Sequence, residues 1–184
     1  KYKKFDEKEL IKKTARLLAE NKVIGWFCGR MEFGPRALGH RSILANASNP
    51  QMKEIINLKI KHREPFRPFA PSALEENASG YFDLDCPSPF MLLVASVRPS
   101  KRKVLPAITH VDGTARVQTV NKIDNGKYYD LIKEYEKLSG VPVVLNTSFN
   151  VRGEPIVCTP QDAYNCFIKT DIDFLILENF LISK

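Results

Sequence analysis

Four short stretches hold the side chains that could do chemistry, and all four favour the handling of anions. The first, GRMEFGPRALGHRSILA (29–45), sets Arg30, Arg36, His40 and Arg41 among three glycines and a proline, directly after an apolar run. Glycine lets a turn take positive φ and brings backbone N–H groups close to a ligand; arginine adds two parallel donors matched to phosphate or carboxylate. The pattern is neither GxxxxGK[ST] nor GxGxxG, so it is not one of the common nucleotide loops. The second, LKIKHREPFRPFAP (58–71), interleaves Lys59, Lys61, His62, Arg63 and Arg67 with Ile60, Phe66 and Phe69. Cations alternating with aromatics suit phosphate contact plus stacking, and the prolines stiffen the segment.

The third stretch, THVDGTARVQ (109–118), places His110, Asp112 and Arg116 around an Asp-Gly turn. Asp112 there could hold Mg²⁺, orient an arginine, or simply cap the turn. The fourth, LNTSFNVRGEPI (145–156), sets Asn146, Thr147, Ser148, Asn150 and Arg152 after an apolar strand. Donors and acceptors at the C-terminal end of a buried strand stand where α/β sheets bind ligands. Taken singly, each stretch also reads as an ordinary surface loop. Covalent catalysis has little to work with: GxSxG, HExxH and CxxC are absent, and the three histidines sit near no obvious nucleophile. The chemistry on offer is the positioning and neutralising of polyanions.

The elements that must carry these stretches alternate between helix and strand. Asp6–Asn21 reads as a helix capped by Asp6, with Leu10, Ile11, Ala15, Leu17 and Leu18 on its apolar face. KVIGWFC (22–28) reads as a buried strand whose Trp26 and Phe27 belong to the core or, as the second reading, to a domain interface. SNPQMKEIINLKIK begins a second helix at Ser48 or Asn49, with Met52, Ile55, Ile56 and Ile60 near helical spacing. EPFRPFAPSAL (64–74) should be extended or turned. Strands follow at 90–97, at 115–120 and at 141–146, with helices at 127–140 and 159–170 and a loop at 85–89. FLILENFLISK closes the chain as a hairpin or a long strand. This order argues α/β or α+β, one domain, one sheet.

Composition bounds the partners. A net charge of +7 over 184 residues favours phosphorylated metabolites, nucleic acid or acidic lipid. No apolar run approaches the ~20 residues of a membrane span, and the first ten residues carry no signal-peptide core. Cys28, Cys86, Cys158 and Cys166 read as reduced packing residues of a cytoplasmic protein, with no zinc site. Oligomeric state is not legible.

GRMEFGPRALGHRSILA, REPFRPFAPS, THVDGTARVQTV and VPVVLNTSFNVRGEPIV, in this order, resemble the C-terminal domain of the O-carbamoyltransferases, the nodulation and antibiotic-tailoring enzymes. The resemblance runs from about Lys22 to the end of the chain. It implies a YrdC-like twisted mixed sheet with flanking helices. It implies further that the domain takes carbamoyl phosphate and ATP and makes carbamoyl adenylate. An N-terminal actin/hexokinase-like domain of the same polypeptide would then transfer the carbamoyl group to a hydroxyl. Carried over by residue, ligand contacts fall on Arg36, Lys61, Arg67, Arg116, Asn146 and Ser148, the four cations doubling as catalytic groups. Arg30, His40, Arg63 and Arg152 join on their chemistry alone. ATP is expected as co-substrate with Mg²⁺, and no resident metal. The chain, starting at Lys1, is expected to be that C-terminal domain alone, residues 1–184, without membrane or nucleic-acid partners. The alternatives are a basic YrdC-like RNA-binding module and a threonylcarbamoyl-adenylate synthase-like enzyme, which would use bicarbonate and threonine.

Overall fold

A computed structural model describes residues 1–184. Its spine is an eight-stranded mixed sheet with both faces covered. In chain order the elements are β1 (Tyr2–Lys4), α1 (Glu7–Ala19), β2 (Ile24–Phe27), β3 (Arg41–Asn46), α2 (Met52–Ile55) and β4 (Ala70–Leu74). Then come α3 (Glu75–Ala78), β5 (Val94–Ser96), β6 (Thr114–Arg116), β7 (Gln118–Val120), α4 (Gly126–Ser139), β8 (Val143–Ser148), α5 (Pro160–Lys169), β9 (Phe174–Leu177) and β10 (Phe180–Ser183). The strands lie in the order β1-β10-β9-β2-β3-β8-β4-β7, while β5 and β6 form a separate two-stranded sheet. No helix is long and apolar enough to cross a membrane.

Strand alternation explains the two layers. Ile24, Trp26, Leu44 and Val144 face one core with α1 and α4; Phe27, Ile43, Ala45, Val143 and Leu145 face the other with α2 and α5. A sheet buried on both sides needs near-continuous apolar strands, which is what VIGWF and VPVVL supply. The helices begin where capping predicts. Asp6 accepts from Glu9 N at 2.9 Å, and Thr159 and Asp162 cap α5 reciprocally. Gly140, at φ 71°, ends α4.

Several expectations are corrected. There are two sheets, because the run 115–120 breaks at Val117, β6 pairing with β5 and β7 with β4. The strand expected over 90–97 shrinks to Val94–Ser96. The helix beginning near Ser48 takes its first turn at Met52 and widens over Ile56–Ile60 into a π-helix, whose closing bond runs from Lys61 N to Ile56 O at 2.8 Å. Strands β1 and β3 and the short α3 were not legible. Cys28 and Cys166 are buried as expected, but Cys86 and Cys158 are exposed; all four are free thiols. Trp26 is core, its Nε1 donating to Gly39 O at 2.8 Å.

Register brings the four stretches together. Ser42 at the start of β3 pairs with Ser148 at the end of β8; Ala70 at the start of β4 pairs with Asn146; Ser72 pairs with Gln118 in β7. One end of the central strands therefore gathers the segments 29–40, 61–69 and 148–158, and 109–116 joins them at the inner cavity through Arg116.

Candidate functional site

The loop before β3 is held from both sides. The Glu32 carboxylate accepts from three backbone N–H groups, Leu38 at 2.6 Å, His40 at 2.9 Å and Arg41 at 3.2 Å. Its carbonyls are held by core side chains: Asn146 Nδ2 donates to Ala37 O at 3.0 Å, Gln118 Nε2 to Leu38 O at 2.9 Å, and Trp26 to Gly39 O. Gly39 has φ 106°, and a Cβ there would come within 2.2 Å of the Tyr128 ring. Only glycine fits both demands. The loop thus presents Arg36 in a set place.

Beneath it lies a buried polar layer. Ser72 Oγ donates to Gln118 Oε1 at 2.6 Å, and Asn146 Nδ2 reaches Ser72 Oγ at 3.0 Å and Gln118 Oε1 at 3.1 Å. Every neighbour of Asn146 thus engages its amide nitrogen. Its Oδ1 is buried with no hydrogen-bond partner, and so are the Nε atoms of Arg36 and Arg116. Such groups are costly unless something pairs with them.

The π-helical turn positions the next cations. Asn57, fully buried, donates to Pro65 O at 3.1 Å and Arg67 O at 2.9 Å, and accepts from Arg63 Nε at 2.7 Å. Arg63 also lies over the Phe69 ring at 5.0 Å. Lys61, 3% exposed, donates to Ser148 O, to Asn150 O at 3.0 Å and to Asn150 Oδ1 at 2.7 Å. No carboxylate pairs with it; burial first, then the Arg63 charge, lower its ammonium to about 7. Burial and the nearby Arg36 lower Arg116, and burial and Arg67 lower Arg63. Only Arg67 has an acid, Glu64 at 3.0 Å.

These groups line two adjoining cavities. The inner, about 160 Å³, is walled by Arg36, Arg63, Phe69, Met91, Arg116, Asn146 and Ser148, among others. The outer, about 210 Å³, takes in Lys61, Arg63, Arg67, Ser148, Asn150, Arg152 and Glu154. Arg63 and Ser148 belong to both. A larger hollow of about 510 Å³ beside α1 is lined by exposed Lys, Arg and Glu side chains and two apolar residues, without a buried polar group to define a ligand.

Eight of the ten residues named from sequence thus meet: Arg36, Lys61, Arg63, Arg67, Arg116, Asn146, Ser148 and Arg152. Arg30 and His40 line neither cavity. Arg30 is exposed, and the His40 ring lies against Cys28 O at 3.0 Å. Asp112 proves to be the turn cap, accepting from Thr114 N at 3.0 Å and Thr114 Oγ1 at 2.7 Å. Glu32, Asn57, Ser72 and Gln118 were missed. Two of them gave a signal, a lone polar residue where the pattern wants an apolar one: Asn57 between Ile56 and Ile60, and Gln118 between Val117 and Val120. No three His, Cys, Asp or Glu side chains are grouped to hold a metal ion.

Residues 15–184 match the family model described as carbamoyltransferase C-terminus. The nodulation protein NolO of Bradyrhizobium diazoefficiens is 50% identical over 179 residues, which is 96% of this chain and 33% of that protein. The protein sll1178 of Synechocystis sp. is 51% identical over 203 residues, 100% of this chain and 33% of its own length. The chain thus spans about a third of the curated relatives it matches. Among solved structures, full-length HypF in its phosphate- and nucleotide-bound form superposes with TM-score 0.66 at 19% identity, over 92% of this chain and 25% of that one. P. abyssi Sua5 complexed with L-threonine gives 0.68 at 17% identity, over 96% and 48%. At such identities the likeness establishes the fold.

Proposed function

The chain belongs to the carbamoyltransferase C-terminal family, and from that premise we propose that it binds carbamoyl phosphate and ATP and joins them as carbamoyl adenylate. The observation that carries the reading is the pair of adjoining cavities, in which Arg36, Lys61, Arg63 and Arg116 converge with no carboxylate among their partners and with Asn146 Oδ1 unpaired. Two polyanions share a pocket only if cations screen them, since each like pair at 4 Å costs ~4 kcal/mol at an effective dielectric of 20. A quarter of the HypF chain, solved in its phosphate- and nucleotide-bound form, has this fold, which supports the reading.

The steps follow from the ligands. Water adds to the carbamoyl carbon of carbamoyl phosphate and the bond from that carbon to the phosphate oxygen breaks, giving carbamate, phosphate and a proton released to solvent. A carbamate oxygen attacks the α-phosphorus of ATP; the bond to the β-phosphate oxygen breaks, and pyrophosphate leaves. Arg36, Lys61, Arg67 and Arg116 stabilise the charge that develops on the phosphoryl oxygens. Asn146 Oδ1 accepts from the carbamoyl NH₂, and Ser148 lies where both cavities meet. Mg²⁺ belongs to ATP as part of the substrate. Transfer from the adenylate to an acceptor hydroxyl falls to an N-terminal domain such as the longer relatives have room for, in the cytoplasm.

The test is exchange of labelled pyrophosphate into ATP. Exchange should require carbamoyl phosphate. Arg67→Ala and Arg116→Ala should each weaken binding by ~1.5–3 kcal/mol, the range for charge-assisted hydrogen bonds. Exchange driven by bicarbonate and threonine instead would move the chain to threonylcarbamoyl-adenylate chemistry. Salt-sensitive binding of random RNA, with no exchange, would make it an RNA module.

A further inference from the structure

The polar layer beneath the inner cavity decides which atom of Asn146 a ligand can meet. Ser72, Gln118 and Asn146 are at most 1% exposed, and of the three only Asn146 lines the cavity. An amide side chain offers an acceptor at one end and two donors at the other, and the end that faces a neighbour follows from that neighbour's chemistry. Two neighbours here are backbone carbonyls, which only accept. Leu38 O lies 2.9 Å from one end of the Gln118 amide, so that end is Nε2. Oε1 is then turned toward Ser72 Oγ at 2.6 Å and Asn146 at 3.1 Å, and both must donate to it. Ser72 commits its single proton there, so toward Asn146, at 3.0 Å, it can only accept. Ala37 O, also at 3.0 Å, makes the same demand directly.

Three acceptors therefore meet one end of the Asn146 amide, and that end is Nδ2. Turning the amide over would set Oδ1 against Ala37 O and Gln118 Oε1. Turning Gln118 over as well would set its Oε1 against Leu38 O. No rotation of the Ser72 hydroxyl relieves both clashes, since a carbonyl has no proton to give. Oδ1 is the atom left over, buried and without a partner. The sheet keeps this chain of contacts in register: Asn146 stands opposite Ala70, and Ser72 opposite Gln118, so β8, β4 and β7 each contribute one member. Both carbonyls belong to the loop that presents Arg36, so the loop that places Arg36 also orients Asn146.

We infer that Gln118, acting with Ser72, is a specificity-determining positioning residue: without touching a ligand it holds Asn146 with its acceptor toward the inner cavity, and so makes the site select acyl phosphates whose acyl group carries N–H. The inference rests on the proposed function for the identity of the ligand. Carbamoyl phosphate has a donor NH₂ where acetyl phosphate has a methyl. An amide nitrogen turned inward would reverse the choice and favour a group that only accepts, such as the oxygens of bicarbonate.

Calorimetry on the full-length polypeptide tests this with carbamoyl phosphate and acetyl phosphate as probes, each variant first checked for folding by urea unfolding. The readout is the ratio of the two dissociation constants, which a general loss of stability leaves unchanged. Gln118→Met removes the acceptor and should lower the preference for carbamoyl phosphate at least ~10-fold. Gln118→Glu keeps an acceptor for Ser72 and Asn146; its added charge should weaken both probes, but the ratio should stay within ~3-fold of the wild type. An unchanged ratio in Gln118→Met, or equal losses in both variants, would overturn the inference. Should Gln118→Met not fold, the wild type decides: by NMR the side-chain amide hydrogens of Asn146 should exchange with water at least ~10-fold more slowly than those of the exposed Asn165, and equal rates would overturn it. A wild type that binds both probes equally would also overturn it, and would leave the cationic cavities as a site for phosphate alone. Binding of neither probe would refute the proposed function, and the inference with it.

Discussion

Raising the pH should loosen the grip on carbamoyl phosphate, and Lys61 sets the size of the effect. A solvated lysine titrates near 10.4. Burial, then the Arg63 charge, bring Lys61 to about 7 in the empty site. A bound dianion favours the ammonium and returns it toward its ordinary value. The complex therefore holds more protons than the free protein between those limits, so affinity falls as pH rises. With the free group at about 7 and the bound group well above 9, the apparent Kd should rise about 10-fold between pH 6.5 and 8 and about 100-fold by pH 9. Calorimetry at pH 8 in two buffers of different ionisation enthalpy should record uptake of about 0.9 proton per ligand bound, shrinking toward zero near pH 6. Lys61→Met should bind weakly at every pH and take up no proton. Flat affinity across pH 6.5–9, with no buffer dependence, would mean that the Lys61 charge does not meet the ligand, and the electrostatic account of the site would fail.

Three other outcomes are expected. Glu32→Ala leaves three N–H groups without their acceptor and should weaken carbamoyl phosphate binding by ~1–3 kcal/mol in calorimetry, while Glu32→Gln, which keeps an amide oxygen in place, should lose much less. Acetyl phosphate, which has a methyl where carbamoyl phosphate has NH₂, would leave Asn146 Oδ1 unpaired and should fall at least ~100-fold in kcat/KM for pyrophosphate exchange. Gly39→Ala forces a Cβ into the Tyr128 ring at positive φ and should cost about 2 kcal/mol or more in urea unfolding.

The cationic character of the site was legible because arginine in Gly- and Pro-rich turns has few other uses, and because all four stretches point the same way. Long amphipathic elements such as α1 and α4 were legible from their caps and their period. What was hidden depends on partners distant in sequence. Strand β3 begins inside the Gly/Arg stretch, and the apolar run in its Arg41–Asn46 span, Ile43 to Ala45, is too short to announce a strand. Strand β4 contains Pro71, which argues against a central strand. The pairing resolves this, since β7 begins only opposite Ser72. The break at Val117 follows from which sheet each half joins, and nothing local announces it. Glu32 looks like an ordinary polar residue until the three backbone N–H groups it holds are seen.

The widened turn over Ile56–Ile60 has an evolutionary consequence. A π-turn is a helix that has accommodated one extra residue. The smallest length change a gene can make is the loss of that residue. In a regular helix each residue turns the chain by about 100°, so such a deletion would rotate Lys61 away from Ser148 and Asn150 and detach Arg63 from Asn57. Most substitutions along this helix would be tolerated or would cost stability by degrees. A single deletion would instead dismantle the cationic cluster in one step, so the number of residues between Met52 and Lys61 is under tighter constraint than the identity of most of them.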